Sequence, residues 1–246
     1  LDRDKEFSEW LVALDRRHLA TLTPSEVARA LRALSSCYVE RRSRLAEGAA
    51  LATAGKRAAF ALFYGPVHFL VTRQIVQEIH PPSVSVILDL GCGTGAAGAA
   101  WAVESNATVR GVDRHAWAVD EAAWTYRTFG LHGRARRADI TRTEFEEKAR
   151  TGILAAYAVN ELSETSRAML LPRLLRAIGR GAHVLIIEPI ARQALPWWTE
   201  WQNAIVKAGG RADEWRFPAS LPDRQLQLAR AAGLRPRELT ARSLWV

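Results

Sequence analysis

From Val86 to Gly95 the chain reads Val-Ile-Leu-Asp-Leu-Gly-Cys-Gly-Thr-Gly. The apolar and β-branched residues read as a buried strand of a parallel sheet. The alternating glycines, Gly91, Gly93 and Gly95, read as a turn from which side chains must be absent. There the backbone can approach a ligand and offer its N–H groups. Ala96 to Val103 is alanine-rich and suits a helix that opens directly after the turn. A strand, a glycine turn and a helix N-terminus together form a nucleotide-type site.

Two ligand classes compete for such a turn. A dinucleotide fingerprint needs G-x-G-x-x-G after the strand. Gly91, Gly93 and Ala96 satisfy its tolerant form, and Gly93, Gly95 and Gly98 fit a frame that starts further from the strand. Asp89 discriminates between them. Its carboxylate beside the turn would repel a pyrophosphate, whereas it suits a ligand with a cationic amino-acid end, such as S-adenosylmethionine (SAM). Asp89-Leu90-Gly91-Cys92-Gly93-Thr94-Gly95 resembles the first motif of Rossmann-type SAM-dependent methyltransferases. The resemblance implies SAM as cofactor, S-adenosylhomocysteine as product, and Cys92 among the turn residues that contact the cofactor.

In a doubly wound sheet the ligand lies over the carboxyl ends of the strands, so four strand ends read as one site. Asp113 ends the second strand, 22 residues beyond Gly91, at the spacing of an acid that accepts both ribose hydroxyls. Its alternative is a turn aspartate. Asp139, in Ala138-Asp139-Ile140, follows the third strand. By the methyltransferase resemblance it takes the adenine amino group, with the Ile140 N–H on a ring nitrogen. Otherwise Asp139 caps a helix over 143–149. Trp117 or the stem of Arg114 could cover the adenine face.

Asn160 and Glu161 end the fourth strand, where the resemblance points the transferred methyl. A sulfonium is already an activated leaving group, so the protein has to align the nucleophile and exclude water. Asn160 could accept a hydrogen bond from an amine or orient a base. Glu161 could serve as general base or hold a substrate amine. One of the two could instead cap the helix that begins at 164. Glu188 ends the fifth strand and is a lesser substrate candidate, as is Tyr64 ahead of the first strand. Trp197, Trp198, Trp201 and Trp215 form a cluster in sequence that could wall a flat substrate or simply pack a helix onto the sheet.

Around these residues the pattern alternates strand and helix, which predicts an α/β fold with a doubly wound, mostly parallel sheet and right-handed crossovers. Strands are expected at 84–90, 108–113, 136–140, 152–160, 181–188 and 238–246. Only one final strand is clear, so either an antiparallel hairpin partner lies in the poorly patterned stretch 209–220 or the sheet is shorter. Ahead of the sheet, residues 1–80 read as an all-helical arm or lid, and 81–246 as the SAM-binding domain. Within the arm, Thr23, Pro24 and Glu26 form a capping box that opens a helix ending near Gly48. A further helix over 49–64 is expected to break at Gly65-Pro66 and resume to Ile79. Pro81-Pro82-Ser83 reads as a stiff linker.

The chain of 246 residues carries 48% hydrophobic residues and a net charge of +8. That charge favours a polyanionic partner such as RNA. Only four of the 34 basic residues are lysine, so a GC-rich coding sequence could also account for it. Arg41, Arg42 and Arg44, Lys56 and Arg57, and Arg134, Arg136 and Arg137 are candidate phosphate contacts or ordinary solvated faces. No apolar run is long enough to span a membrane, and Leu1-Asp2-Arg3-Asp4 is not a signal peptide. Cys37 and Cys92, distant in sequence, suggest reduced thiols in the cytoplasm. No zinc pattern, P-loop or Ser-His-Asp order occurs, and no structural metal is expected.

Taken together, four segments resemble the methyltransferase family that includes the mitochondrial small-ribosomal-subunit assembly protein and its bacterial relatives. They are Ala-Phe-Ala-Leu-Phe-Tyr-Gly-Pro before the first strand, the glycine turn with Ala99-Ala100-Trp101-Ala102, Ala156 to Leu162, and Leu185 to Pro189. The resemblance covers about residues 20–190 and implies ribosomal RNA or the small subunit as partner. It departs from the family in two places. The cysteine set of an iron–sulfur cluster is missing, and Glu188-Pro189-Ile190 replaces Glu-Arg-Gly. Three functions follow as expectations. They are methylation of RNA or a ribosomal component, N- or O-methylation of a small molecule, and SAM binding by an assembly factor without catalysis.

Overall fold

The computed structural model describes residues 3–40, 51–145, 150–190 and 196–246. Seven strands form one sheet in the order β3-β2-β1-β4-β5-β7-β6. They are β1 (Val86–Leu90), β2 (Thr108–Asp113), β3 (Gly133–Arg137), β4 (Thr151–Ala156), β5 (His183–Glu188), β6 (Arg211–Pro218) and β7 (Glu238–Trp245). The first five are parallel, and β7 runs antiparallel to both β5 and β6. The hairpin partner is therefore β6. Its alternation of exposed and half-buried residues marks a one-faced edge strand, and charged residues at Arg211, Asp213, Glu214 and Arg216 mask that period in the sequence.

Side-chain alternation sends successive strand residues to opposite faces. Ile87, Val109, Leu154 and Ile187 pack with α5 (Ala96–Ser105) and α6 (Ala116–Thr128). Leu88, Val112, Ile153 and Ile186 pack on the other face with α7 (Glu164–Gly179) and α8 (Pro196–Lys207). Fourth-strand pairing stops at Ala156, and residues 159–161 form a single 3-10 turn rather than a continuation of the strand. The third strand begins three residues earlier than its sequence pattern suggested. Gly133 initiates it beside Val109, where a Cβ would meet Val109 and Tyr126 at 2.8 Å.

The N-terminal helices α1 (Arg3–His18), α2 (Pro24–Glu40), α3 (Ala54–Ala59) and α4 (Gly65–Ile79) lie on the α5–α6 side and share its core. Trp10, Leu31 and Leu34 are completely buried there. Phe69 stacks on both Phe7 and Phe129, which follows α6, and Trp10 packs at a tilt against Phe69 and Phe129. Glu121 of α6 is fully buried and takes Arg17 Nε at 3.0 Å and His18 Nε2 at 2.7 Å from α1. The α2 capping box forms, with Thr23 N–H donating to Glu26 and Glu26 N–H to Thr23 Oγ1. The expected end of α2 near Gly48 lies outside the described residues, as do Arg41, Arg42 and Arg44.

Gly65-Pro66 does not break the helix. Residues Phe60–Tyr64 widen into one π-helical turn, and the Gly65 N–H donates to Phe60 O. Proline at 66 has no N–H for the carbonyl four residues back. That carbonyl, Leu62 O, accepts instead from Gln225 Nε2 at 2.9 Å. Gln225 belongs to α9 (Asp223–Ala231), which lies between β6 and β7 in sequence and packs against α2. Arg32 of α2 in turn donates to Ala231 O and Ala232 O at the end of α9.

Because the arm and the sheet share one core, Trp10→Ala is expected to cost about 3–5 kcal/mol and to leave a single cooperative urea transition. Coincident far- and near-UV circular dichroism would check this, and separate transitions for arm and sheet would contradict it.

Candidate active site

The strand ends supply the site. Gly91, Gly93 and Gly95 adopt φ values of +72°, +51° and +75°, the left-handed region that glycine enters without steric cost. At Gly91 a Cβ would also lie 2.7 Å from the Ala158 Cβ. The turn thus runs directly against the residue that follows Tyr157 on the β4 side. Gly95 caps α5. Gly98 serves a different purpose, since a Cβ there would come 2.4 Å from Asp89 Oδ2.

Asp89 is 1% exposed. It lies beneath the turn, with the Gly98 N–H and, at 3.4 Å, the Tyr126 hydroxyl donating to it. Burial pushes its carboxyl up to about 7, and the nearby Asp113 charge adds to the rise. Cys92 is buried beside Tyr126, and burial raises its thiol well above the ordinary range. Asp113 is half-buried and ties the turn to β2. Its Oδ2 accepts from Gly93 N–H at 3.0 Å and its Oδ1 from His115 N–H at 2.8 Å. Each carboxylate oxygen keeps a second lone pair. Asp139 is held in a local turn, Oδ1 accepting from Thr141 N–H and hydroxyl, which lowers its carboxyl. Residues 143–145 are not helical, and the rest of the expected 143–149 helix lies outside the described residues. Ile140 is buried. The Arg114 guanidinium favours the charged form of both Asp139 and Glu161, which joins the ends of β2, β3 and β4 in one electrostatic neighbourhood.

On the β4 side, Tyr157 has φ +59°, an outlier for a bulky residue. It is held there by its N–H to Ile187 O at 2.7 Å and by stacking on His68 at 3.9 Å. The turn that follows carries Asn160 and Glu161, both half-buried. Burial pushes the Glu161 carboxyl up to about 7, against the pull of Arg114. Its carboxylate has no hydrogen-bond partner among the described residues. Ser163, not Asn160 or Glu161, caps α7.

Glu188 is fully buried. Its oxygens accept from Asn160 N–H at 3.0 Å and Asn160 Nδ2 at 2.7 Å, and the Val159 N–H also donates to it. It reaches the 159–161 turn from within, so it does not line an open surface as a substrate contact would. Burial pushes its carboxyl up to about 8, against these donors and the neighbouring Arg242.

The tryptophans do not form one cluster. Trp198 and Trp201 are buried between α8 and the sheet, with the Arg242 guanidinium 3.8 Å from the Trp198 ring centroid. Trp215 packs with the core of the opposite face and donates to Ser243 Oγ. Trp197 stays half-buried between Arg167 and Arg242. Trp117 packs near His18 and His115, at the joint of α1 and α6. Arg57 is committed locally, donating to Leu51 O.

Sequence reasoning passed over Phe60, His68 and Tyr157. Phe60 sits 3.6 Å from a Cβ placed on Gly93, and the rings of Phe60, Tyr64, His68 and Tyr157 form a continuous, half-buried aromatic wall beside the turn. Burial lowers His68 to about 3 and raises the Tyr64 hydroxyl to about 12. The wall is therefore uncharged near neutral pH. The one sequence signal was the run of aromatics spaced three to four residues apart before Gly65.

The donor set fits a ligand with a cationic amino-acid end and a nucleoside. Buried or half-buried acids flank a glycine turn with room for no side chain, and Asp113 has acceptor capacity to spare. Residues 87–181 match the family model described as "Methyltransferase domain", a segment that runs from β1 through α7 and contains the turn, Asp113, Asp139, Asn160 and Glu161. Residues 87–181 therefore form a methyltransferase domain, and the acids around its glycine turn suit SAM as the methyl donor. Among solved structures it is similar to a TehB-like SAM-dependent methyltransferase from Corynebacterium glutamicum, at 18% identity over 87% of this chain and 98% of that one, TM-score 0.47. It is also similar to magnesium protoporphyrin IX methyltransferase from Synechocystis with bound SAM, at 14% identity over 92% and 97% of the two chains, TM-score 0.48. No curated protein matches the chain. Among the described residues no helix is long and apolar enough to cross a membrane, and no group of three or more His, Cys, Asp or Glu is placed to hold a metal ion.

Asp89 has a sign that can be checked. Its folded pKa lies above the unfolded aspartate value near 3.9, so the native state binds the proton more tightly. Asp89 therefore costs the ligand-free protein stability as pH rises from about 4 to about 7. Asp89→Asn is expected to raise the melting temperature of the ligand-free protein, more at pH 8 than at pH 5. An equal shift at both pH values, or a fall, would contradict the buried-acid account.

Proposed function

We propose that this methyltransferase acts on RNA, with ribosomal RNA or a small-subunit component as the partner the family resemblance favours. The observation that carries the reading is the edge strand β3. It presents Arg134, Arg136 and Arg137 to solvent beside the end of β2, where Asp113 and Arg114 lie. Together with the net charge of +8, this suits a phosphate backbone laid along the edge of the catalytic domain.

In this reading Gly91, Gly93, Gly95 and Cys92 cradle the amino-acid end of SAM, and Asp89 supplies its negative field from below. Asp113 accepts the ribose hydroxyls. Asp139 and the Ile140 N–H meet the adenine edge, with Arg114 beside them. Bound there, SAM supplies a methyl group already activated on a sulfonium. Asn160 and Glu161 face that methyl, the first to orient the nucleophile and the second to take a proton, which its pKa of about 7 suits. The aromatic wall from Phe60 to Tyr157 excludes water from the transfer point. The division into an arm over 1–80 and a SAM domain over 81–246 is retained as a functional one, the arm contributing that wall.

A second reading is favoured by the wall itself. Four half-buried aromatic rings beside the glycine turn also suit a small flat acceptor. The two readings separate when labelled methyl from SAM is transferred into a lysate split into RNA, protein and small-molecule fractions. Label in RNA, with affinity falling steeply as salt rises, supports the first. Label only in the small-molecule fraction overturns it in favour of the second. Label in neither, with SAM bound, would indicate a non-catalytic assembly role.

Asp113→Ala is expected to weaken SAM about 10- to 100-fold, the size of lost charge-assisted hydrogen bonds of about 1.5–3 kcal/mol. Calorimetry that finds the affinity unchanged would remove Asp113 from the ribose site.

A further inference from the structure

Glu188 is a fully buried acid with an unusual task. It ends β5, yet its partners are all on the turn after β4. These are the N–H groups of Val159 and Asn160 and the side-chain amide of Asn160. An asparagine amide can present either its oxygen or its NH2 to a ligand. In its charged form Glu188, 2.7 Å from one end, decides the matter, because a carboxylate accepts and cannot donate. Nδ2 is thereby drawn inward, and Oδ1 is left as the outward atom of a half-buried residue, with no hydrogen-bond partner among the described residues. Glu161, the next residue, offers a second acceptor on the same turn. With Glu161 charged, the two outward side-chain groups of this turn accept hydrogen bonds and do not donate them.

We propose that Glu188 is a positioning residue that holds Asn160 Oδ1 toward the transfer point, and that the methyl acceptor is consequently a nitrogen bearing at least one N–H. This rests on the methyltransferase reading that places Asn160 at the transferred methyl. An amino nitrogen carries a lone pair and an N–H together, so it can donate to Oδ1 while its lone pair points at the methyl carbon. A hydroxyl has a single proton, so once Glu161 takes it nothing is left to donate to Oδ1, whereas an amino nitrogen keeps that hydrogen bond while its surplus proton passes to Glu161. In the transfer the nitrogen lone pair forms the new N–C bond as the methyl C–S bond breaks. Both electrons of the broken bond stay on sulfur, and the surplus N–H proton passes to Glu161. The same logic covers an exocyclic amino group on a base and an amine on a small molecule.

The test needs no knowledge of the acceptor. Sinefungin carries an amine-bearing carbon where SAM carries its methylated sulfur, so its N–H groups sit where the acceptor and methyl meet. S-adenosylhomocysteine has nothing there. Binding of both is measured by calorimetry at pH 9, where Glu188 carries its charge. The intact protein is expected to bind sinefungin more tightly than S-adenosylhomocysteine. Glu188→Gln and Asn160→Ala should each lower that ratio about tenfold, with S-adenosylhomocysteine affinity changed by less than about threefold. Asn160→Ala keeps the Glu188 charge, so it separates amide orientation from simple attraction of a cation, and it decides alone if Glu188→Gln does not fold.

No preference for sinefungin in the intact protein, or an unchanged ratio in Asn160→Ala, overturns the proposal. A fall in Glu188→Gln without one in Asn160→Ala also overturns it. Failure of the intact protein to bind S-adenosylhomocysteine at all would instead refute the SAM site itself.

Discussion

Three carboxyl groups that resist ionisation are gathered at the carboxyl edge of one sheet. Burial raises Asp89 and Glu161 to about 7 and Glu188 to about 8. A buried acid without a full counter-charge works against the ligand-free fold, so their convergence needs compensation. Part of it is internal. Asp89 has Tyr126 and the Gly98 N–H, and Glu188 has three N–H donors and Arg242 nearby. A bound SAM, which carries a sulfonium and an ammonium, would supply the rest. The geometry that costs the empty protein stability is the geometry that selects a cationic ligand.

The helical arm is part of this arrangement. Trp10 and Glu121 fasten it to α6, Arg32 and Gln225 to α9. The π-turn at Phe60–Tyr64 follows from Pro66, whose missing N–H frees Leu62 O for Gln225. Widening the helix there carries Phe60 over Gly93 and aligns Tyr64 and His68 with Tyr157. A π-bulge at a functional site is a recurring device. Here it brings a helix of the arm against the glycine turn. The strained backbone of Tyr157 is held between that helix and β5.

Local pattern made much of this legible. The second strand and the acids at strand ends follow from apolar runs that stop at Asp113 or Glu188, and the capping box at Thr23 follows from side-chain chemistry alone. What was not legible depends on tertiary partners. Gly65-Pro66 looks like a break because nothing local shows that Gln225, 163 residues away, will satisfy the freed carbonyl. The tryptophans at 197, 198, 201 and 215 look like one cluster, but the alternation of a strand sends Trp215 to the opposite face. Glu188 reads as a strand-end acid, and only the pairing of β4 with β5 reveals that it faces Asn160. His68 and Tyr157 carry no motif, and their stacking exists only once arm and sheet are docked.

The central claim is that acids held near neutrality await a cation, and proton linkage tests it most directly. Binding of SAM at pH 7 should be accompanied by proton release, because a cation beside Asp89 and Glu161 favours their charged forms. Calorimetry in two buffers of different ionisation enthalpy measures that release. The account predicts about one proton released near pH 7 and tighter binding as pH rises from 6 to 8. Binding with no proton exchange, or affinity that falls over that range, would contradict it.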